Sequence, residues 1–100
     1  PAILIEGPLL GATVASPAHV FGSANVFEAQ FVVQLQDAQG TVLKEMQAHA
    51  TSGTGQRGTF DLQVPFSVSA SQPGKIVAFE LSAKDGSKIN EVTVPVTLAP

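Results

Sequence analysis

From Glu28 to Gln36 the chain alternates. Ala29, Phe31, Val33 and Leu35 fall on one side of an extended backbone, and Glu28, Gln30, Gln34 and Gln36 on the other. A period of two does not fit a helix, whose faces repeat every three to four residues, and it describes a strand that buries one side and wets the other. Such a strand is unstable alone, because its apolar side needs another layer over it. Nothing else in the sequence offers a long amphipathic helix as that layer. Nine Gly and seven Pro divide the chain into short segments, so the second layer is expected to be a second sheet.

In chain order, Ala2 to Glu6 reads as a first strand ended by Gly7-Pro8, and Ala12 to Ala15 as a short strand inside a connector. Ser16-Pro17 is a break, since proline disfavours helix in its predecessor and offers no N–H to a ladder. Ala18 to Asn25 is the next strand, with Val20, Gly22 and Ala24 facing in. Phe27 to Gln36 is predicted as one long central strand. Asp37-Ala38-Gln39-Gly40 has the Asp-first, Gly-last pattern of a type I turn. Thr41 to Ala50 has a mixed apolar pattern, and its Thr-Val start and flanking turns favour strand over helix. Thr51 to Gly58 is the most flexible segment by composition. Thr59 to Phe66 alternates with Phe60, Leu62, Val64 and Phe66 on one side. Lys75 to Lys84 is predicted to turn Val77, Phe79, Leu81 and Ala83 inward. Asp85-Gly86 reads as a two-residue hairpin turn. Lys88 to Leu98 returns with Val92, Val94, Val96 and Leu98 inward, and Pro95 suggests an edge position.

About seven turn-punctuated strands without a helix make an all-β, immunoglobulin-like antiparallel β-sandwich. With no cysteine in the chain, the sandwich has no disulfide and must be held by aliphatic and Phe packing. Residues 1–100 form one domain, and the start at Pro1 reads as the edge of a domain excised from a longer chain. A net charge of −3 with five scattered Lys and Arg gives no basic footprint, so no nucleic acid partner is expected. No segment approaches the roughly 20 apolar residues of a membrane span.

A set of residues then carries a resemblance. Ser16-Pro17, the run Val20-x-Gly22-x-Ala24-Asn25-Val26-Phe27-Glu28-Ala29, Asp37-x-x-Gly40, Gly58-x-Phe60 and Lys84-Asp85-Gly86-Ser87 occur together. The chain resembles the Gmad2 family, an immunoglobulin-like domain associated with bacterial spore germination proteins. The resemblance runs from about Ile3 to Leu98, and its most specific part is the segment from Ser16 to Ala29. It implies a non-catalytic binding or scaffolding module of secreted or lipid-anchored envelope proteins, often beside a GerMN domain. It carries over no ligand and no catalytic residue.

The residues bring four other constellations into question. Gly53-x-Gly55-x-x-Gly58 matches a dinucleotide-loop spacing, but such a loop opens a helix, and here a strand pattern follows. His19 and His49 lack a ligand spacing, and no metal or cofactor is expected. Glu28, Glu80 and Glu91 could share an outer sheet face, where solvated acids do no acid–base chemistry without a cleft to shift them. No Ser stands in a nucleophile elbow, so the domain is not expected to be an enzyme. Glu28 is expected to accept backbone N–H groups at the strand corner. With no Trp or Tyr as a sugar platform, a role in binding cell-wall polymer ranks behind contact with other protein domains. The candidate interaction face is the uncharged outer side of the central and last strands, Gln30, Val32, Gln34, Thr93 and Thr97, flanked by Ala78 and Ser82.

Overall fold

The strand patterns resolve, in a computed structural model describing residues 1–100, into eight strands and one 3-10 turn. The strands are β1 (Ile3–Gly7), β2 (Thr13–Val14), β3 (Ala18–Ala24), β4 (Gln30–Asp37), β5 (Val42–His49), β6 (Gly58–Val64), β7 (Gln72–Leu81) and β8 (Lys88–Leu98). They form a three-stranded sheet in the order β1-β3-β6 and a five-stranded sheet in the order β2-β8-β7-β4-β5. All pairings are antiparallel except the short β2–β8 pair, which is parallel. The fold is therefore the immunoglobulin-like sandwich that the alternation implied. No helix is long and apolar enough to cross a membrane.

The core lies between the sheets. Phe31, Val33 and Leu35 of β4 meet Ile3, Val20, Phe60 and Val64 from the opposite sheet. The Phe31 and Phe60 rings meet edge to face with centroids 4.9 Å apart, a geometry that aligns the positive edge of one ring with the negative face of the other. Gly22 makes the contact between β1 and β3 possible, since a Cβ there would stand 1.9 Å from the Leu4 carbonyl oxygen. The turn at Asp37 forms as read: Gly40 N–H donates to the Asp37 carbonyl, and Asp37 Oδ1 accepts the N–H groups of Gln39 and Thr41.

The mixed pattern of β5 has a simple origin. The register against β4 passes from Leu35↔Lys44 to Gln36↔Val42, so Leu43 is an extra residue. This bulge lets Leu43 pack on the core while Val42 stays exposed, and it switches the parity along the strand.

Three expectations are corrected. First, β4 begins at Gln30. Phe27–Ala29 is a 3-10 turn in which Glu28 and Ala29 have φ of 54° and 58°, so Ala29 belongs to a corner rather than to the strand. Second, β7 faces the other way. Ile76 and Ala78 enter the main core, whereas Val77 and Phe79 join Val32 in a separate cluster on the outer face. The run Ile76-Val77-Ala78-Phe79 is apolar on both sides, as a central strand with two covered faces allows, so alternation could not decide its orientation. Third, the Asp85-Gly86 hairpin is wider than two residues. β7 ends at Leu81 and β8 starts at Lys88, and the connection closes through Ser82 N–H to the Ser87 carbonyl and Gly86 N–H to the Ser82 carbonyl. Only Gly86 takes positive φ there.

Pro95 sits on β8 opposite Lys75, just past the two residues that pair with β2. Its carbonyl accepts Gly11 N–H at 2.8 Å. The missing donor thus falls where β8 has no strand partner on that side, which is how a proline fits a strand that is almost an edge.

Candidate interaction face

The outer side of the five-stranded sheet can be read as rows running across the strands. Thr93, Val77, Gln34 and Glu45 form one row, and Phe79, Val32 and Gln47 form the row beside it. The sheet therefore brings Gln30, Val32, Gln34, Thr93 and Thr97 onto one face. It does not expose them equally. Gln30 and Thr93 are exposed and Thr97 is half-buried, but Val32 is only 4% and Gln34 only 7% accessible. Of the two flanking residues, Ser82 is half-buried in the β7–β8 connection and Ala78 lies in the core.

Side chains of the sheet itself cover this face. Gln36 Nε2 donates to Gln34 Oε1 at 2.8 Å, and Gln34 Nε2 donates to Glu45 Oε1 at 2.7 Å. The Lys88 ammonium lies 4.6 Å above the centroid of Phe79, in range for a cation–π attraction. Long polar stems thus close over Val32, Val77 and Phe79 while their heads stay hydrated.

At one end the face opens. The β4–β7 ladder stops at Val32↔Phe79, although β4 extends back to Gln30 and β7 runs on to Leu81. The strands part there, leaving a groove of about 220 Å³. Phe27, Leu81 and Ala83 form its apolar walls, Glu28, Gln30 and Gln47 its polar rim, and Val32 part of its floor. Phe27 is 52% and Leu81 48% accessible, so the two present apolar surface to solvent side by side at this opening.

The corner that carries Phe27 and Glu28 is held from behind. Val26 O accepts the N–H groups of both Ala29 and Thr54, Glu28 N–H donates to Thr54 Oγ1, and Gly55 N–H donates to Asn25 Oδ1. Gly53 lies flat against this corner, where a Cβ would stand 2.3 Å from the Val26 carbonyl oxygen. Thr54 itself has φ of 52°. Three non-glycine residues in the left-handed region each cost on the order of 1–3 kcal/mol and persist only where neighbours hold them. The glycine-rich segment read as flexible is tied to the corner: Gly53 and Gly58 serve close contact and Gly55 a turn, with Gly58 opening strand β6.

The carboxyl that satisfies the corner is not the expected one. Glu28 is exposed and its carboxylate makes no hydrogen bond or ion pair. Glu80, 8% accessible, accepts Phe27 N–H at 3.1 Å and Asn90 Nδ2–H at 2.9 Å. A bulge places Asn90. The β7–β8 register passes from Ala78↔Val92 to Glu80↔Ile89, leaving Asn90 and Glu91 together opposite Phe79, with Asn90 at φ 56°. Glu80 is thus a buried structural acceptor and not a member of an outer row of acids.

The histidines lie on different sheets. His19 Nε2 and Asp61 Oδ1 are 2.9 Å apart beside Phe21 on the three-stranded sheet, and His49 ends β5 opposite Gln30. A second hollow, of about 380 Å³, runs past Glu6, Phe21, His49 and Asp61. No group of three metal-ligating side chains converges. The one clear electrostatic displacement is at Asp85, whose carboxyl is held below the usual range by hydrogen bonds from the Ser87 hydroxyl and backbone N–H. That bond set locks the β7–β8 connection.

Sequence reasoning placed Glu80 on an outer face and missed Gln47 and the Phe27–Leu81 opening. Glu80 had a signal, as the one charged residue in the otherwise apolar run from Ile76 to Leu81. Residues 2–87 match the family model Gmad2, the immunoglobulin-like domain of bacterial spore germination. No curated protein matches the chain.

Proposed function

The chain belongs to the Gmad2 family, and we propose that it acts as a non-catalytic interaction module, contacting other protein domains through the outer face of its five-stranded sheet. The observation that carries this reading is the exposed pair Phe27 and Leu81 at the open end of an amide-lined, weakly charged face. Exposed apolar side chains rimmed by polar ones are the pattern of a contact surface. Gln30, Thr93 and Thr97 would supply contacts along the face, with Val32 and Gln34 as its covered floor. In keeping with the family, we place the module in the cell envelope, outside the cytoplasm, on a lipoprotein whose further domains, a GerMN domain first among them, are the partners, and with a link to spore germination.

The test is a binding titration of the isotope-labelled domain with the protein segments encoded beside it. Amide shifts at Gln30, Leu81, Thr93 and Thr97, lost in the variant Gln30→Arg/Thr93→Arg, are the expected result. Shifts confined to the three-stranded sheet would refute the assigned face. Pelleting with purified cell wall, without any shift from protein segments, would replace the reading by wall-polymer binding.

A further inference from the structure

We propose that the groove between Phe27 and Leu81 is a subsite for a single long cationic side chain, arginine or lysine, presented by the protein segment that docks on this face. The inference rests on the interaction-module reading and names what that face accepts. Size is the first argument. At about 220 Å³ the groove is smaller than the roughly 300–1,000 Å³ typical of small-molecule sites, and is scaled to one side chain.

Charge is the second. Of the residues that line the groove, only Glu28 is ionisable. The chain as a whole is acidic, at −3, and the nearest cations in sequence to Leu81 do not line the site: Lys84 stands in the β7–β8 connection and Lys88 is engaged over Phe79. The third argument is hydrogen-bonding capacity. Elsewhere on the face Gln34, Gln36 and Glu45 are bonded to one another, whereas the side chains of Glu28, Gln30 and Gln47 have no partner within the chain. Three uncommitted acceptor groups on one rim suit a donor-only group such as a guanidinium or ammonium.

The walls complete the match. Phe27, Leu81 and Ala83 offer apolar surface for a methylene stem, and the Phe27 ring offers a face for the cation. Lys88 over Phe79 shows the same pairing made within the chain, one row away. The corner that presents Phe27 and Glu28 is fixed by Thr54 and Gly53 before any partner arrives, so little ordering remains to oppose binding.

The probe is the blocked peptide acetyl-Ala-Arg-Ala-amide, titrated into the isotope-labelled domain beside its norleucine and glutamate counterparts. The arginine peptide is expected to give saturable shifts at Phe27, Glu28, Gln30, Gln47 and Leu81, with millimolar affinity that falls several-fold from low salt to about 0.2 M. Glu28→Gln is expected to weaken it by about three- to fivefold, the range of an exposed ion pair, while Glu91→Gln leaves it unchanged. Equal affinity for arginine and norleucine, or indifference to Glu28→Gln, overturns the proposal. If the arginine peptide leaves the groove silent while adjoining protein segments still shift Thr93 and Thr97, the subsite is refuted and the interaction module stands. If neither binds, both fall.

Discussion

The two outer faces of this sandwich are both uncovered by any further element, yet they differ in kind. On the three-stranded sheet Leu4, His19, Phe21 and Asp61 stand in solvent, and the His19–Asp61 pair is exposed on both sides. On the five-stranded sheet Val32, Val77 and Phe79 are as buried as core residues. Sheet width accounts for the difference. β4 and β7 each have a strand on both sides, and those neighbours contribute Gln47, Glu45 and Lys88 to close over them. In the narrow sheet only β3 has two neighbours, and its outward Phe21 lies between Gly7 and Asp61, which cannot close over it. A wide sheet can thus build a second, thin apolar layer on its own surface, and a narrow one cannot.

The sharpest way to break that comparison is to truncate one Phe on each face. Phe79→Ala is expected to cost about 3 kcal/mol or more in denaturant unfolding, as for a core ring, against less than about 1 kcal/mol for Phe21→Ala. Equal losses would dissolve the distinction. A smaller effect tests the polar cover. Gln34→Ala leaves Gln36 and Glu45 without their shared partner and is expected to cost about 1–2 kcal/mol, with amide exchange quickening along β4 and β5 as the second readout. The smallest compares one polar contact on each face: Lys88→Ala is expected to cost about 0.5–1 kcal/mol, and Asp61→Asn, on the open face, no more than about 0.5 kcal/mol.

The same contrast explains what could be read from the residues. β4 was legible because Gln30, Gln34 and Gln36 mark its outer side, and β6 because Asp61 and Gln63 mark theirs. β7 was not, since burial on both faces erased the polar half of its pattern. The candidate face was read as one outer surface, but Ala78 beside it lies in the core, and the shielding of Val32 and Gln34 depends on cross-strand neighbours that no single strand reveals. The corner was legible only in part. Phe27-Glu28-Ala29 continues the alternation of β4, and nothing local signals that Glu28 and Ala29 turn left-handed. Their support comes from Gly53 and Thr54, about 25 residues later, and from Glu80, further still.

The matched family region ends at Ser87, one residue before β8, yet β8 contributes Val96 and Leu98 to the core and pairs with β2 as well as β7. A chain cut at the matched boundary would leave β7 as a bare margin ten residues long, apolar on both sides from Ile76 to Phe79. Such a margin is a template for strands from other molecules. The final strand therefore acts as a seal against self-association, and a shortened domain would be lost to insoluble aggregates before any partner could be offered to it.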